Sequence, residues 1–296
     1  MRRTFRLWAT MPWLLAVAPA DESAWGAHGH RIAAEAAAEA IPGAMPDFFR
    51  ARADQLVYLN PEPDRWRDGR VTEMDRGFAF DHYIDLERVS PEALAAPDRW
   101  TYLETLHGEG LDEPARDAGF LPFRIIELHQ RLATEWRRWR AARSPRERQW
   151  IEDRIVNDAG ILGHYVTDAS QPHHTTIHFN GWDSRSPNPE GFTDDRDFHA
   201  RFEAAFVNAH VRLDDLTEPL ASLEARRITD VRRAVLSHIR ESHARVVDLY
   251  RLDRDVGFDP ERSDPRTESF AVERLVSGAR MLRDLWWTAW LQSENP

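Results

Sequence analysis

The chain has 296 residues, 42% of them hydrophobic, which is enough for a substantial core in one large domain, and no internal repeat argues for two. Cysteine is absent, so disulfides and cysteine-rich zinc fingers are excluded, and any transition metal must be held by His, Asp and Glu. All 39 basic residues are Arg, which excludes Schiff-base and P-loop lysines, and the formal charge of −11 argues against a nucleic-acid partner held by a broad basic surface.

The chain opens with basic Arg2, Arg3 and Arg6, then an apolar run to about Ala18 and a patch of small residues. Residues 1–24 are expected to be a signal peptide, and the protein is therefore expected to be secreted or periplasmic. The run is too short and too broken by proline for a membrane span of about 20 residues, and no later segment qualifies, so no stable membrane insertion is expected. Residues 25–296 are read as one domain. Apolar residues recur at helical spacing over 31–41, 120–140, 145–167, 197–211, 226–252 and 268–291, with Pro/Gly/Asn/Asp-rich connections at 60–70, 180–195 and 253–266. Alternating strand patterns are hard to find, so the fold class is all-α. Most of the 12 Trp residues, including Trp286, Trp287 and Trp290, read as helix-packing residues.

Polar residues break this pattern in one place. The stretch LGHYVTDASQPHH, residues 162–174, holds His164 and Asp168 four apart, hence on one helical face, and then His173 and His174 at a proline bend. One such pair is more often a hydrogen bond than a ligand set. A second His/carboxylate pair at the same spacing, His199 and Glu203 in FHARFEAAF, shifts the balance toward metal, because each divalent ion wants about four N/O ligands. His30 in WGAHGH and His82 in FDHYIDL add imidazoles. Asp64, Asp68 and Asp75 all precede His82 and are alternative carboxylates, with Asp183 in reserve. His28, His173 and His178 sit beside these residues with substrate-side or ordinary roles open, whereas His107, His129, His210, His238 and His243 read as structural.

The order WGAHGH, PDRWR, HYID, GHYVTDASQPHH, HARFE resembles the zinc-dependent phospholipases C and the single-strand-specific zinc nucleases, over nearly the whole stretch from Trp25 to beyond Glu203. The resemblance implies a single helical domain around three zinc ions. One ion would be held by the α-amino group and carbonyl of Trp25, by His30 and by Asp168. A second would take Asp64, His82, His164 and the bridging Asp168, and His174, His199 and Glu203 would hold the third. Asp64 is preferred because DRWR repeats the family's Asp-x2-Arg pattern, with Arg67 one turn away to clamp a phosphate oxygen. Trp25 offers its amino group only after cleavage behind Ala24, although AVAPA, ending at Ala20, is the better signal-peptidase site.

The implied activity is zinc-dependent hydrolysis of a phosphodiester by a metal-bridging hydroxide, with Asp64, Arg67 and Asp168 as catalytic residues. Six positive charges against the carboxylates of Asp64, Asp168 and Glu203 leave a local excess, so an acidic protein can still hold a phosphoester. WGAHGH and HYID lean toward the nucleases and Glu203 toward the phospholipases, so a phospholipid head group and single-stranded nucleic acid are both expected partners. In the loop 175–195, Phe179, Trp182 and Phe192 are candidates to stack on a base or touch an acyl chain. The rival expectation is a secreted zinc-binding helical protein without turnover.

Overall fold

The computed structural model describes residues 25–294; the expected signal peptide at 1–24 lies outside the described residues. The architecture is a single all-α domain, with no strand among the described residues. In chain order its principal helices are α1 (Gly26–Glu39), α2 (Ala53–Leu59), α3 (Arg99–Gly108), α4 (Leu121–Ala141), α5 (Pro145–Asp168), α6 (Leu213–Ala221), α7 (Val231–His243), α8 (Val246–Asp255) and α9 (Pro265–Gln292).

The long helices begin where capping chemistry says they should. Ser144 accepts the Glu147 N–H at 3.1 Å ahead of Pro145, and Asp264 accepts the Arg266 N–H at 2.9 Å ahead of Pro265. Each satisfies a first-turn donor that has no partner within the helix, and proline loses nothing at that position. Residues 142–144 turn α4 back on α5, α9 packs against both, and α1 crosses α5 and α9. Trp136 of α4 meets Trp290 of α9 with ring centroids 5.1 Å apart, and Phe49, from the short helix Asp47–Ala51, packs on Trp136 at 5.5 Å and on Trp286 of α9. Burial of each such ring contributes roughly 1.5–3 kcal/mol. The packing role expected for tryptophan fits Trp25, Trp136 and Trp286, but Trp100 and Trp150 are 72% and 56% exposed.

The last eleven residues of α5, from Asp158 on, are all buried, so this half of the helix has no solvent face. A helix buried all round is normally apolar. Here it carries His164 and Asp168 into the centre of the molecule, where each needs a partner.

The structure departs from the expected helix limits: α1 starts at Gly26 rather than residue 31, α2, α3 and α6 lie outside the expected segments, and three further differences concern segments read from the sequence. The segment 226–252 is two helices, because Asp230 caps α7 through the Arg233 N–H and residues 244–245 turn the chain into α8. Its first residues are instead held by α9, through Asp284 and Thr288. The segment 197–211 contains a π-helical turn, Arg201–Phe206. The connection 60–70 begins with a helical turn, Glu62–Arg65, that carries Asp64.

Candidate metal centre

Three groups of buried and partly buried side chains converge at the inner end of α5. His30, His164 and Asp168 form one; Asp64, His82 and His164 the second; His174, His199 and Glu203 the third. Within each group the candidate ligand atoms all lie within 4.8 Å of one another. Six separate pieces of chain supply them: α1, the turn Glu62–Arg65, the 3-10 turn Ala79–His82, α5, the turn Pro172–Thr175 and the segment 198–206. The stretch 162–174 reaches all three groups, because α5 ends at Asp168 and Pro172 turns His174 back over it.

The geometry is that of lone pairs turned inward. His82 Nδ1 is 3.0 Å from His164 Nε2 and 3.1 Å from Asp168 Oδ2, and Asp64 Oδ1 is 3.7 and 3.5 Å from the same two nitrogens. His30 Nε2 faces Asp168 Oδ1 at 3.4 Å. His199 Nε2 lies 2.7 Å from Glu203 Oε2, though not aligned for a hydrogen bond. The Nε2 atoms of His30, His174 and His199, both Asp64 oxygens and Asp168 Oδ1 are buried without a hydrogen-bond partner. Buried polar atoms are almost always paired. A cluster of unpaired ones, all metal-ligating in type, is the mark of a cation site.

The surrounding residues hold the rings in the required tautomers. His30 Nδ1 donates to Asn60 Oδ1 at 3.0 Å, and His174 Nδ1 donates to the His82 carbonyl at 2.6 Å, leaving each Nε2 with a free lone pair. Gln171 donates to Glu203 Oε2 at 3.0 Å while its own Oε1 accepts the His173 N–H at 2.7 Å. Trp25 is fully buried, in the left-handed region at φ 51°; its backbone N–H donates to Glu203 Oε2 at 2.9 Å and its indole to the Thr167 carbonyl at 2.9 Å. Its nitrogen thus sits among the groups, on the Glu203 side.

Electrostatics agree with a site that trades protons for a cation. Burial pushes the Asp64 carboxyl up to about 7, against the pull of His164. Burial pushes the His82 ring down to about 3. For His174 burial works against the charged form, but Asp168 and Glu203 outweigh it and raise the ring to about 9. Burial likewise opposes charge on Asp168 and Glu203, yet the facing imidazoles hold both well below the carboxylate range. Protons therefore occupy the cluster near neutrality, and a bound cation would displace them.

The group of His174, His199 and Glu203, together with His82 of the second, lines a cleft of about 420 Å³ whose wall also includes Arg67 and His173. Arg67 Nη1 is 3.9 Å from Asp64 Oδ1. Among the alternatives, Asp68 is engaged by Arg70 and Asp183 by Arg185, and neither joins a group; nor does Asp75. His28 bonds to the Val211 carbonyl, and His178 stacks on Trp182 at 3.7 Å. Trp182 and Phe192 pack against Tyr250 and fix the loop, so of the three loop aromatics only Phe179, 43% exposed, is placed to meet a ligand in the cleft. Asn60 and Gln171 carry no spacing signal of their own, and their supporting roles emerge only here. Compared with known proteins, the chain matches no family model and no curated sequence.

Proposed function

We propose that the protein is a zinc-dependent hydrolase of phosphodiester bonds, acting on a phospholipid or a single-stranded nucleic acid, as the resemblance to the zinc phospholipases C and zinc nucleases implies. One observation carries the reading: three adjoining groups made only of imidazole and carboxylate keep several buried lone pairs without a hydrogen-bond partner, beside a cleft lined by His82, His174, His199, Glu203 and Arg67. The donor set fits zinc, which takes N/O ligands in closed or partly open shells. His30, His164 and Asp168 would hold one ion, Asp64, His82 and His164 another with Asp168 shared, and His174, His199 and Glu203 the third. Trp25 adds its α-amino group if the mature chain starts there, which N-terminal sequencing of the exported protein tests.

Bound there, zinc supplies Lewis-acid charge and makes a water reactive near neutral pH. The chain's own residues do the rest. Arg67 presents its guanidinium fork to the phosphoryl oxygens and stabilises the charge that builds on them as the water oxygen bonds to phosphorus and the opposite P–O bond breaks. Asp64, beside Arg67, orients the attacking water and aims the guanidinium at the cleft. No side-chain nucleophile is needed, so no covalent enzyme intermediate is expected.

Elemental analysis of the purified protein and assays against phosphatidylcholine and single-stranded DNA test the proposal together. Two or more tightly held zinc ions with turnover of either substrate support it. Fewer than two metals overturn it, and full metal loading with no turnover leaves the zinc-binding protein without catalysis.

A further inference from the structure

The cleft continues beyond the ligand groups. A second cavity of about 380 Å³ adjoins it, and the two share Asp85, Arg88, Phe179, Asn180 and Arg196. A wall common to two cavities is where a substrate longer than one phosphoester would pass. Arg196 stands in that wall, exposed. Asp194, Asp195 and Asp197 surround it in sequence, yet Arg196 makes no ion pair with any of them or with any other described residue. Asp195 is instead turned to Arg201 at 3.2 Å and accepts the Asp197 N–H at 3.0 Å. Arg88, the other cation of the shared wall, is held by Asp117 at 3.5 Å. In the second cavity Arg185 and Asp183 neutralise each other. Burial, reinforced by Glu87, pushes the Asp85 carboxyl up to about 7, which removes much of its charge near neutrality and leaves exposed Asp194, in the second cavity, and Asp197, in the first, as the acids opposing Arg196.

We propose that the second cavity is a subsite for a second anionic group of the ligand, gripped by Arg196 with Arg88 beside it, so that the preferred ligand is a phosphoester bearing a further phosphate. A guanidinium without a carboxylate partner, in a wall facing the primary site, matches a phosphate bidentately, as a lysine would not. This rests on the phosphodiester reading above and adds to it a ligand class defined by a second phosphate. That group could come from the next link of a polynucleotide or from a phosphorylated polyol head group, and the test separates the two.

The test is equilibrium binding to the zinc-loaded full chain, by calorimetry, with two matched pairs: thymidine 5′-monophosphate against thymidine 3′,5′-bisphosphate, and inositol 1-phosphate against inositol 1,4-bisphosphate. The bisphosphate of at least one pair is expected to bind about tenfold tighter, the size of one charge-assisted contact. Arg196→Gln is expected to bring that ratio down to about one, and the pair that shows the preference names the source. Ratios of about one in the wild type for both pairs, or a preference that survives Arg196→Gln, overturn the subsite. Loss of the metal or of phosphodiester turnover would defeat the reading of the primary site, whereas these ratios judge the second cavity alone.

Discussion

Gln171 has one amide and uses both ends of it, accepting from the His173 N–H and donating to Glu203 Oε2, so the turn that carries His174 and the helical segment that carries Glu203 are tied through a single buried side chain. Replacing it with Leu keeps the volume and removes both bonds. Residues of this supporting kind typically cost ten- to hundredfold in metal affinity, so Gln171→Leu is expected to weaken zinc binding by about that factor in a competitive chelator titration, with the helical fold retained by circular dichroism. Asp168 is the more severe case, since it faces His30, His82 and His164 together. Asp168→Asn is expected to release zinc from two groups and to lower kcat/KM at least about a hundredfold, equivalent to losing about 3 kcal/mol of transition-state stabilisation. Full turnover in that variant would exclude the shared carboxylate. The pairs His164/Asp168 and His199/Glu203 were legible in the sequence, because His-x3-Asp and His-x3-Glu are stacked by helical geometry alone, whereas spacing left Asp64, Asp68 and Asp75 as equal alternatives. Asn60 and Gln171 were not legible, because amide partners 30 or more residues away leave no periodic trace.

Two close approaches between elements shape the site. Gly26, at φ 51°, lies where a Cβ would come within 3.3 Å of Ala204, and this contact between the start of α1 and the π turn brings the Trp25 N–H to Glu203. The π turn follows His199 and carries Glu203, in keeping with the tendency of such turns to appear at functional sites. On α5, a Cβ at Gly163 would sit 2.4 Å from Asn60 Nδ2 and 3.0 Å from Leu282 Cδ2. Gly163→Ala would favour the helix intrinsically by up to about 1 kcal/mol. Overpacking outweighs that gain: the variant is expected to lose about 1–3 kcal/mol in urea denaturation and to loosen the Asn60 support of His30. A more stable variant would show that the space beside α5 is slack. The long helices were legible from their apolar period. The π turn was not, since a lengthened turn uses the same residues as an α turn, and the break between α7 and α8 went unseen because the apolar pattern runs across it.

The molecule holds other imidazoles, outside the cleft lining, that burial keeps neutral. His129, against Gln292, and His238, between α5 and α9, are both pushed down to about 4, by burial first and, for His238, by Arg274 as well. In the unfolded chain each ring takes its proton near 6.5, so between about pH 6.5 and 4 the unfolded state binds more protons and stability falls as pH falls. Full protonation costs about 3 kcal/mol per ring at the lower end. Denaturant unfolding at pH 7 and pH 5 is expected to show a smaller loss in His129→Gln than in the wild type; an equal loss in both would mean that His129 is protonated without cost. Composition and periodicity by themselves determined that the chain is helical, that any metal must be met by nitrogen and oxygen, and which histidines and carboxylates face the same way along one helix, because these follow from local covalent geometry. Only the tertiary structure decided that Asp64 and not Asp68 meets His82, that Trp182 and Phe192 close a loop while Phe179 faces the cleft, and that Arg196 stands in a wall shared by two cavities. Those are contacts between segments distant in sequence, and packing, not spacing, selects them.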